Sequence, residues 1–394
     1  VTPFGPLRDE EVDVQIAWLP VKEADLTVGP AVTAESEMPP ILSDGEAVAL
    51  VHSRAIRYHS RPDIAYVPVH GAVVAYGSRR RSPAIRPSTA AGRMYDVTMH
   101  DDQVDVPAEV VARLVAEQFP QWRGLEIHPV RSTGTVNTIF RIGDDLAARF
   151  PLRLADAGAT RSALEREARA SAELARISPF PTPQPVALGE PGHGCPMPWS
   201  VQTWLRGTPA TDTDPSGSEE FAEDLAAFIA ALRKAETRGR RFSGSGRGGE
   251  LTRHDPWMEE CFRESEALLD VPRLRRLWSR LRELPRDGDD VMSHGDLISG
   301  NVLVSAGRLS GVLDGGGFGP ADPALDLVAA WHLLRPRPRE VLRRSLDCDD
   351  LEWERGMAWA FVQAMGLVWY YADSNPPMSA MGRTTLDRIV AAAR

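Results

Sequence analysis

Apolar positions recur in short alternating runs near the start of the chain and at helical spacing further on. VDVQIAWLPV and DIAYVPV read as short strands, and GEAVALVHSRAIRYHS between them as a strand edge followed by a helix. Residues 76–94, YGSRRRSPAIRPSTAAGRM, lose the apolar period and fill with Arg, Ser, Pro and Gly, which reads as a linker. PAEVVARLVAEQFPQW then has helical spacing and should end before Gly124. LEIHPVRSTGTVNTIFRIGDDLAARFPLR alternates as strand, glycine-containing turn, strand, Asp-rich turn and strand. ATRSALEREARASAELARI is rich in Ala, Leu and Arg, all good helix formers. PQPVALGEP and PWSVQTWLRG follow as strands, and a glycine-dense basic stretch, RGRRFSGSGRGGE (238–250), reads as a mobile loop. An antiparallel sheet carrying one long helix, then a mostly helical region, predicts an α+β fold in two lobes.

The length of 394 residues predicts two or three structural units, and 43% hydrophobic with 25% charged residues is ordinary globular composition. Lys+Arg of 45 against Asp+Glu of 55 gives a net charge of −10, which argues against a nucleic-acid partner. The excess suits a cationic small substrate, and solubility explains it equally well. Cys195, Cys261 and Cys348 show no metal-like spacing, which fits a reducing compartment without a disulfide framework. No secretory pattern opens the chain and no apolar run is long enough to span a bilayer, so a soluble cytoplasmic protein is expected.

The chemistry concentrates in residues 294–326. Asp296 follows His294 and Gly295, Asn301 comes five residues later, and Asp314 closes the apolar segment beyond it. In-line phosphoryl transfer needs a carboxylate to orient the attacking hydroxyl and oxygen ligands to hold magnesium against nucleotide phosphates. Asp296 has the type and place for the first role, and Asn301 and Asp314 for the second. NVLV and LSGVLD predict a hairpin that would set Asn301 and Asp314 side by side. His294 is expected to orient the loop rather than carry a proton.

With this spacing, HGDLxxxNxL…LDxxxxGxxDPxxD, the chain from about Met94 onward resembles the aminoglycoside phosphotransferase family, which includes macrolide kinases and has a protein-kinase-like fold. The resemblance implies a nucleotide-binding lobe over 94–204 and a helical catalytic and substrate lobe over 205–394. It implies ATP or GTP with Mg2+, a turn at Ser132, Thr133, Gly134 and Thr135 over the phosphates, and Arg149 in the place of the phosphate-pairing cation. Glu167 would hold Arg149, with Glu165 the alternative, and Gln202 and Thr203 would present backbone groups to the purine. Asp322 and Asp326 would support the catalytic loop. Gly315, Gly316 and Gly317 depart from the family pattern, since an aromatic neighbour of Asp314 is missing; a looser metal site or an inactive member is implied by that departure.

The acceptor would be an antibiotic or similar hydroxylated compound, and a cationic one suits the net charge. Asp347, Asp349, Asp350, Glu352 and Glu354 are then either amine-binding groups or a solvated helix start, where negative charge suits the N-terminus. Trp359, Phe361, Leu367, Trp369 and Tyr370 read mostly as core. A metabolite kinase for a sugar, choline or homoserine-like alcohol is the alternative, as is an inactive relative. Residues 1–93 resemble parts of the effector domain of LysR-type regulators, in WLPVKEADLTVGPAV and GEAVALVHSRAIRYHSRPDIAYVPV, without a helix-turn-helix region ahead of them. A fused remnant is expected there, with Met94 or Met99 the natural start of the kinase-like part. A ligand-sensing regulator is the reading from a different class.

Overall fold

Apolar runs in short strands and a glycine or Asp-rich turn between each pair favour neighbouring antiparallel strands, and these build most of the sheets. The computed structural model describes Val104, residues 106–130 and 136–393, and seven short strands nearer the start. The chain divides into two compact units, Val1–Met94 and Tyr95–Arg394. The first holds β1 (Ile16–Ala17), β2 (Val21–Lys22), β3 (Asp25–Leu26), β4 (Ala31–Val32), β5 (Val48–Val51), β6 (Ile64–Val69) and β7 (Ala72–Gly77). β1 pairs with β4, β2 with β3, and β7 runs between β5 and β6, all antiparallel. The helix predicted after Val51 and the rest of the predicted linker lie outside the described residues.

In the second unit α1 (Ala108–Gln118) stops earlier than its apolar period suggests. Pro120 has no N–H to donate and disfavours helical backbone at Phe119, so the chain turns into a short 3-10 segment, Pro120–Trp122. There follow β8 (Ile127–Val130), β9 (Asn137–Ile142), β10 (Leu146–Pro151), α2 (Ala157–Ile177), β11 (Pro185–Gly189) and β12 (Trp199–Thr203). The strands form one antiparallel sheet in the order β11-β12-β10-β9-β8. Phe140, Phe150, Trp199 and Val201 point from it onto Val111 and Leu114 of α1, with Phe150 and Trp199 stacked at 4.8 Å. α2 is started by Asp156, whose side chain accepts from the Ala159 N–H at 2.7 Å.

The larger lobe contains β13 (Thr208–Pro209), α3 (Glu219–Arg233), α4 (Asp255–Glu264), α5 (Val271–Leu281) and β14 (Val291–Ser293). Next come β15 (Val302–Ser305), β16 (Arg308–Val312), β17 (Gly319–Ala321), α6 (Val328–Leu333), α7 (Pro336–Ser345), α8 (Asp350–Tyr370) and α9 (Pro376–Ala392). β14 pairs with β17, and β15 with β16, so two small ribbons carry the 294–326 segment. α8 is apolar on nearly every side and runs through the lobe's core, as such a helix must. Trp359, Phe361 and Leu367 are buried there, whereas Tyr370 is 44% exposed at its end. A buried ion pair crosses this core. Arg355 of α8 is 3% exposed and pairs with Asp322, itself 2% exposed. The three cysteines are free and buried. This is the α+β, two-lobed architecture that the sequence predicts. Among the described residues no helix is long and apolar enough to cross a membrane.

Candidate active site

The loop after β14 is shaped by one buried carboxylate. Asp326 accepts the His294 N–H at 2.9 Å on one oxygen and the Gly295 N–H at 2.8 Å on the other. Two successive N–H groups can point at one acceptor pair only if the chain bends sharply, and Gly295 supplies that bend with φ 81°. His294 is clamped between backbone groups: Nε2 lies 2.8 Å from the Leu313 carbonyl and Nδ1 3.3 Å from the Asp296 N–H. A carbonyl only accepts and an N–H only donates, so the proton sits on Nε2. His294 therefore orients the loop, as its sequence context suggests.

Asp296 is held from both oxygens. Its Oδ2 accepts from Asn301 Nδ2 at 2.8 Å, and the same amide nitrogen donates to the Asp296 carbonyl at 2.9 Å. Both partners are acceptors, which assigns Nδ2 to this side and leaves Asn301 Oδ1 turned away. Oδ1 of Asp296 accepts from Gln363 of α8 at 2.6 Å and from Arg247 at 2.9 Å. Burial alone would raise the Asp296 pKa, but the Arg247 charge and the donated hydrogen bonds outweigh it and hold the carboxyl below its usual range. Behind Gln363 the network continues into the lobe. His332 lies 3.2 Å from Gln363 Oε1 and 2.9 Å from Thr385 Oγ1.

Sequence reasoning missed Arg247 and Gln363. Gln363 stands alone as a polar residue in AWAFVQAMGLV, and that isolation was its available signal. Arg247 belongs to the glycine-dense stretch expected to be a mobile loop. Instead the end of that stretch is tied down: Asp322 donates its N–H to the Gly248 carbonyl at 2.8 Å, and Arg355 reaches the Gly249 carbonyl at 3.3 Å. Gly248 takes φ +117°, and a Cβ there would stand 2.8 Å from Ala321, so only glycine lets the loop lie this close.

The second half of the centre rests on the β15–β16 hairpin. Val302 faces Val312, and the Leu313 N–H donates to the Asn301 carbonyl at 2.8 Å, so Asn301 and Asp314 flank the open end of the ribbon. Asp314 takes φ 60°, ψ 46°, a left-handed turn that Asp tolerates better than most residues. The three glycines after it form a 3-10 turn against α2. A Cβ on Gly315 would stand 2.6 Å from Leu174 Cδ2, and one on Gly316 2.9 Å from Glu167 Cγ. The expectation of added freedom at this point is thus corrected: the glycines let α2 approach, and the helix replaces the missing aromatic anchor. Gly315→Ala should destabilise the fold by about 1–3 kcal/mol through overpacking against Leu174, and Gly316→Ala should weaken nucleotide affinity by shifting Glu167. Thermal unfolding and nucleotide titration of the two variants would check both.

Arg149 on β10 is 14% exposed at its side chain and bridges two carboxylates, Glu167 at 3.7 Å and Asp314 at 3.4 Å. Glu165 instead pairs with Arg161 at 3.4 Å. Burial pushes the Glu167 carboxyl up, and Asp314 adds to this while Arg149 and Arg166 oppose it. A cavity of about 200 Å³ opens beside them, lined by Arg149, Glu167, Ser171, Pro185, Val201 and Gln202 among others. Gln202 and Thr203 sit in a central strand, facing Ala147 and Leu146 of β10. The Thr203 N–H already donates to the Gln184 carbonyl at 2.9 Å. That N–H is engaged with the neighbouring segment, and Gln202 contributes to the cavity wall. Ser132, Thr133, Gly134 and Thr135 lie outside the described residues.

The oxygens of Asp314 and Asn301 Oδ1 fit a small hard cation such as Mg2+, which takes one or two protein carboxylates and completes its shell with phosphate and water. Among the described residues no group of three or more His, Cys, Asp and Glu forms a self-sufficient metal cage.

The acidic run is elsewhere. Asp349 caps α8 by accepting the Glu352 N–H at 2.7 Å. Asp350 pairs with Arg343, Glu352 with Arg233 and Glu354 with Arg280. Asp350 precedes Gln363 by 13 residues of the same helix, about 20 Å along its axis. The run starts a helix at the far end from Asp296.

A bilobal phosphotransferase is the class defined by this fold and loop. The model of the phosphotransferase enzyme family matches residues 126–359, over half of the chain, and the chain belongs to that family. It is accordingly a phosphotransferase. Among solved structures it is similar to the GDP complex of aminoglycoside 2′-phosphotransferase-IIIa, with a TM-score of 0.56 at 17% identity over 73% of this chain and 99% of that one. The GDP and kanamycin complex of a related enzyme gives 0.54 at 18%, over 72% and 99%. A macrolide 2′-phosphotransferase from Brachybacterium faecium gives 0.50 at 18%, over 70% and 98%. These likenesses establish the fold. No curated protein matches the chain.

Proposed function

We propose that the chain transfers the γ-phosphoryl group of ATP or GTP to a hydroxyl of a small molecule, with catalysis seated in residues 94–394. The carrying observation is the Asp296–Asn301 pair at 2.8 Å, which turns the Asn301 side-chain oxygen away from Asp296 on the hairpin that Asp314 closes. Asp296 orients the acceptor hydroxyl through its carboxylate and takes the proton late. Asn301 and Asp314 would hold Mg2+, which when bound neutralises phosphate charge. Arg149, braced by Glu167, contacts the phosphate oxygens. An antibiotic acceptor is supported by the aminoglycoside and macrolide phosphotransferases whose fold the chain shares. A second reading, a metabolite kinase, is favoured by the guanidinium of Arg247 on the catalytic carboxylate.

The test is nucleotide consumption with ATP and with GTP across a panel of aminoglycosides, macrolides and metabolite alcohols. Turnover should require both acceptor and magnesium and vanish with a chelator. Tight nucleotide binding without transfer to any acceptor would favour an inactive relative.

A further inference from the structure

His332 is a buried titratable group that phosphoryl transfer does not itself use, and three helices meet at it. It sits on α6, 5% exposed, between Gln363 of α8 and Thr385 of α9, and Thr385 has no exposed surface. Burial first and Arg247 second push His332 down to about 3, so the imidazole is uncharged and carries one N–H. Gln363 fixes where that proton sits. Its Nε2 donates to Asp296 Oδ1 at 2.6 Å, because a carboxylate only accepts. Its Oε1 therefore faces His332 Nε2, at 3.2 Å. The imidazole proton is accordingly on Nε2, and Nδ1 is an acceptor 2.9 Å from the Thr385 hydroxyl. That hydroxyl also lies 2.9 Å from the Met381 carbonyl one turn back. Within α9 such a carbonyl has a helical N–H partner, which leaves the hydroxyl proton to Nδ1.

Every donor in this chain points toward Asp296, from Thr385 to His332 to Gln363. Asp296 Oδ1 also accepts from Arg247 at 2.9 Å, so both of its lone pairs are filled. Among the described residues Oδ2 accepts from Asn301 alone, at 2.8 Å, and keeps one lone pair. The Asp296 side chain is 34% exposed, so a substrate can reach it. Were the Gln363 amide turned over, its carbonyl oxygen would stand against Oδ1, acceptor against acceptor. The carboxylate would relieve that clash by taking up a proton, and could then no longer accept one from a hydroxyl.

We infer that Thr385, His332 and Gln363 are positioning residues for the transfer: their one-way relay helps to fill Oδ1 of Asp296 and so directs the acceptor hydroxyl to Oδ2, on the side of Asn301. No proton travels along it. The relay fixes which face of the Gln363 amide meets the carboxylate, and that face keeps the carboxylate ionised. The inference rests on the kinase reading of Asp296.

The experiment uses the full chain. Its histidine rings are labelled with nitrogen-15, and the His332 signals are identified in the NMR spectrum by their loss in His332→Gln. The wild-type ring should be neutral near neutral pH with its proton on Nε2, and Thr385→Val should shift the Nδ1 signal while the proton stays on Nε2. Turnover is then read with ATP, magnesium and whichever of kanamycin, erythromycin and choline is consumed fastest. Gln363→Leu should lower kcat roughly tenfold or more and Thr385→Val roughly threefold. KM for ATP should be unchanged in both, and Thr385→Ser, which keeps the hydroxyl, should stay near the parent. The Thr385 variants and the ring signals keep the test open if Gln363→Leu does not fold. A proton on Nδ1, a charged ring, parental kcat in Thr385→Val, Thr385→Ser as slow as Thr385→Val, or no turnover of any acceptor would overturn the inference. A chain that binds no non-hydrolysable ATP analogue in calorimetry would instead overturn the kinase reading, so the two failures are distinct.

Discussion

Replacing Asp296 with Asn is expected to lower turnover by about 10²–10⁴-fold while nucleotide affinity stays unchanged. The wild-type carboxylate accepts on both oxygens, from Asn301 on one and from Gln363 and Arg247 on the other. An Asn oxygen can keep the Gln363 and Arg247 contacts, but its NH2 group must then face the Asn301 amide nitrogen. Two donors confront each other, and the acceptor hydroxyl loses the charged group that orients it. Arg149 and the cavity wall, where the nucleotide is proposed to bind, lie on the other lobe and are untouched. Steady-state kinetics beside nucleotide titration would separate the effects; parental turnover in the variant would remove Asp296 from its role. The pH profile carries the same signature. The folded carboxyl is held below its ordinary value, so its ionised form, and the stability that form contributes, persist as pH falls until that lowered value is reached. The acidic limb of turnover should therefore lie below the usual carboxylate range.

The second large effect is structural. Asp322→Ala removes the partner of Arg355, leaving a charge only 3% exposed in the core. It also strips acceptors from the Trp359 indole N–H at 2.9 Å and the Ala324 N–H at 2.9 Å. Breaking a buried pair from one side costs about 3–5 kcal/mol, about 4–8 °C in Tm for a chain of this size. Scanning calorimetry would read it. The double variant Asp322→Leu with Arg355→Met should be less destabilised than Asp322→Ala, because no uncompensated charge remains. A single variant as stable as the parent would show that the pair contributes little.

How much of this was legible in the sequence depended on distance along the chain. Asp296, Asn301 and Asp314 fall within one short stretch, so spacing alone placed them on a loop and a hairpin. The strands that carry Arg149 and the helix that carries Glu167 were legible through period and composition. Arg247 and Gln363 were not, because they meet Asp296 across 49 and 67 residues and leave no local trace. The glycines after Asp314 were misread for the same reason. A glycine read alone signals freedom, and only the arrival of Leu174 and Glu167 shows that it serves close approach. The engaged Thr203 N–H depended on knowing which strands flank β12. The acidic run was recognisable as a helix start, but its separation from the catalytic loop required the direction of α8.

The same helix ties two distant carboxylates together. Arg355 and Gln363 are eight residues apart on α8, about 12 Å along a single rigid rod. One grips the carboxylate that anchors the β17 end of the loop, the other the carboxylate proposed to orient the acceptor hydroxyl. Any sliding of the rod against its neighbours must therefore displace both grips at once, so heat resistance and catalytic competence should decline together among substitutions along its buried length.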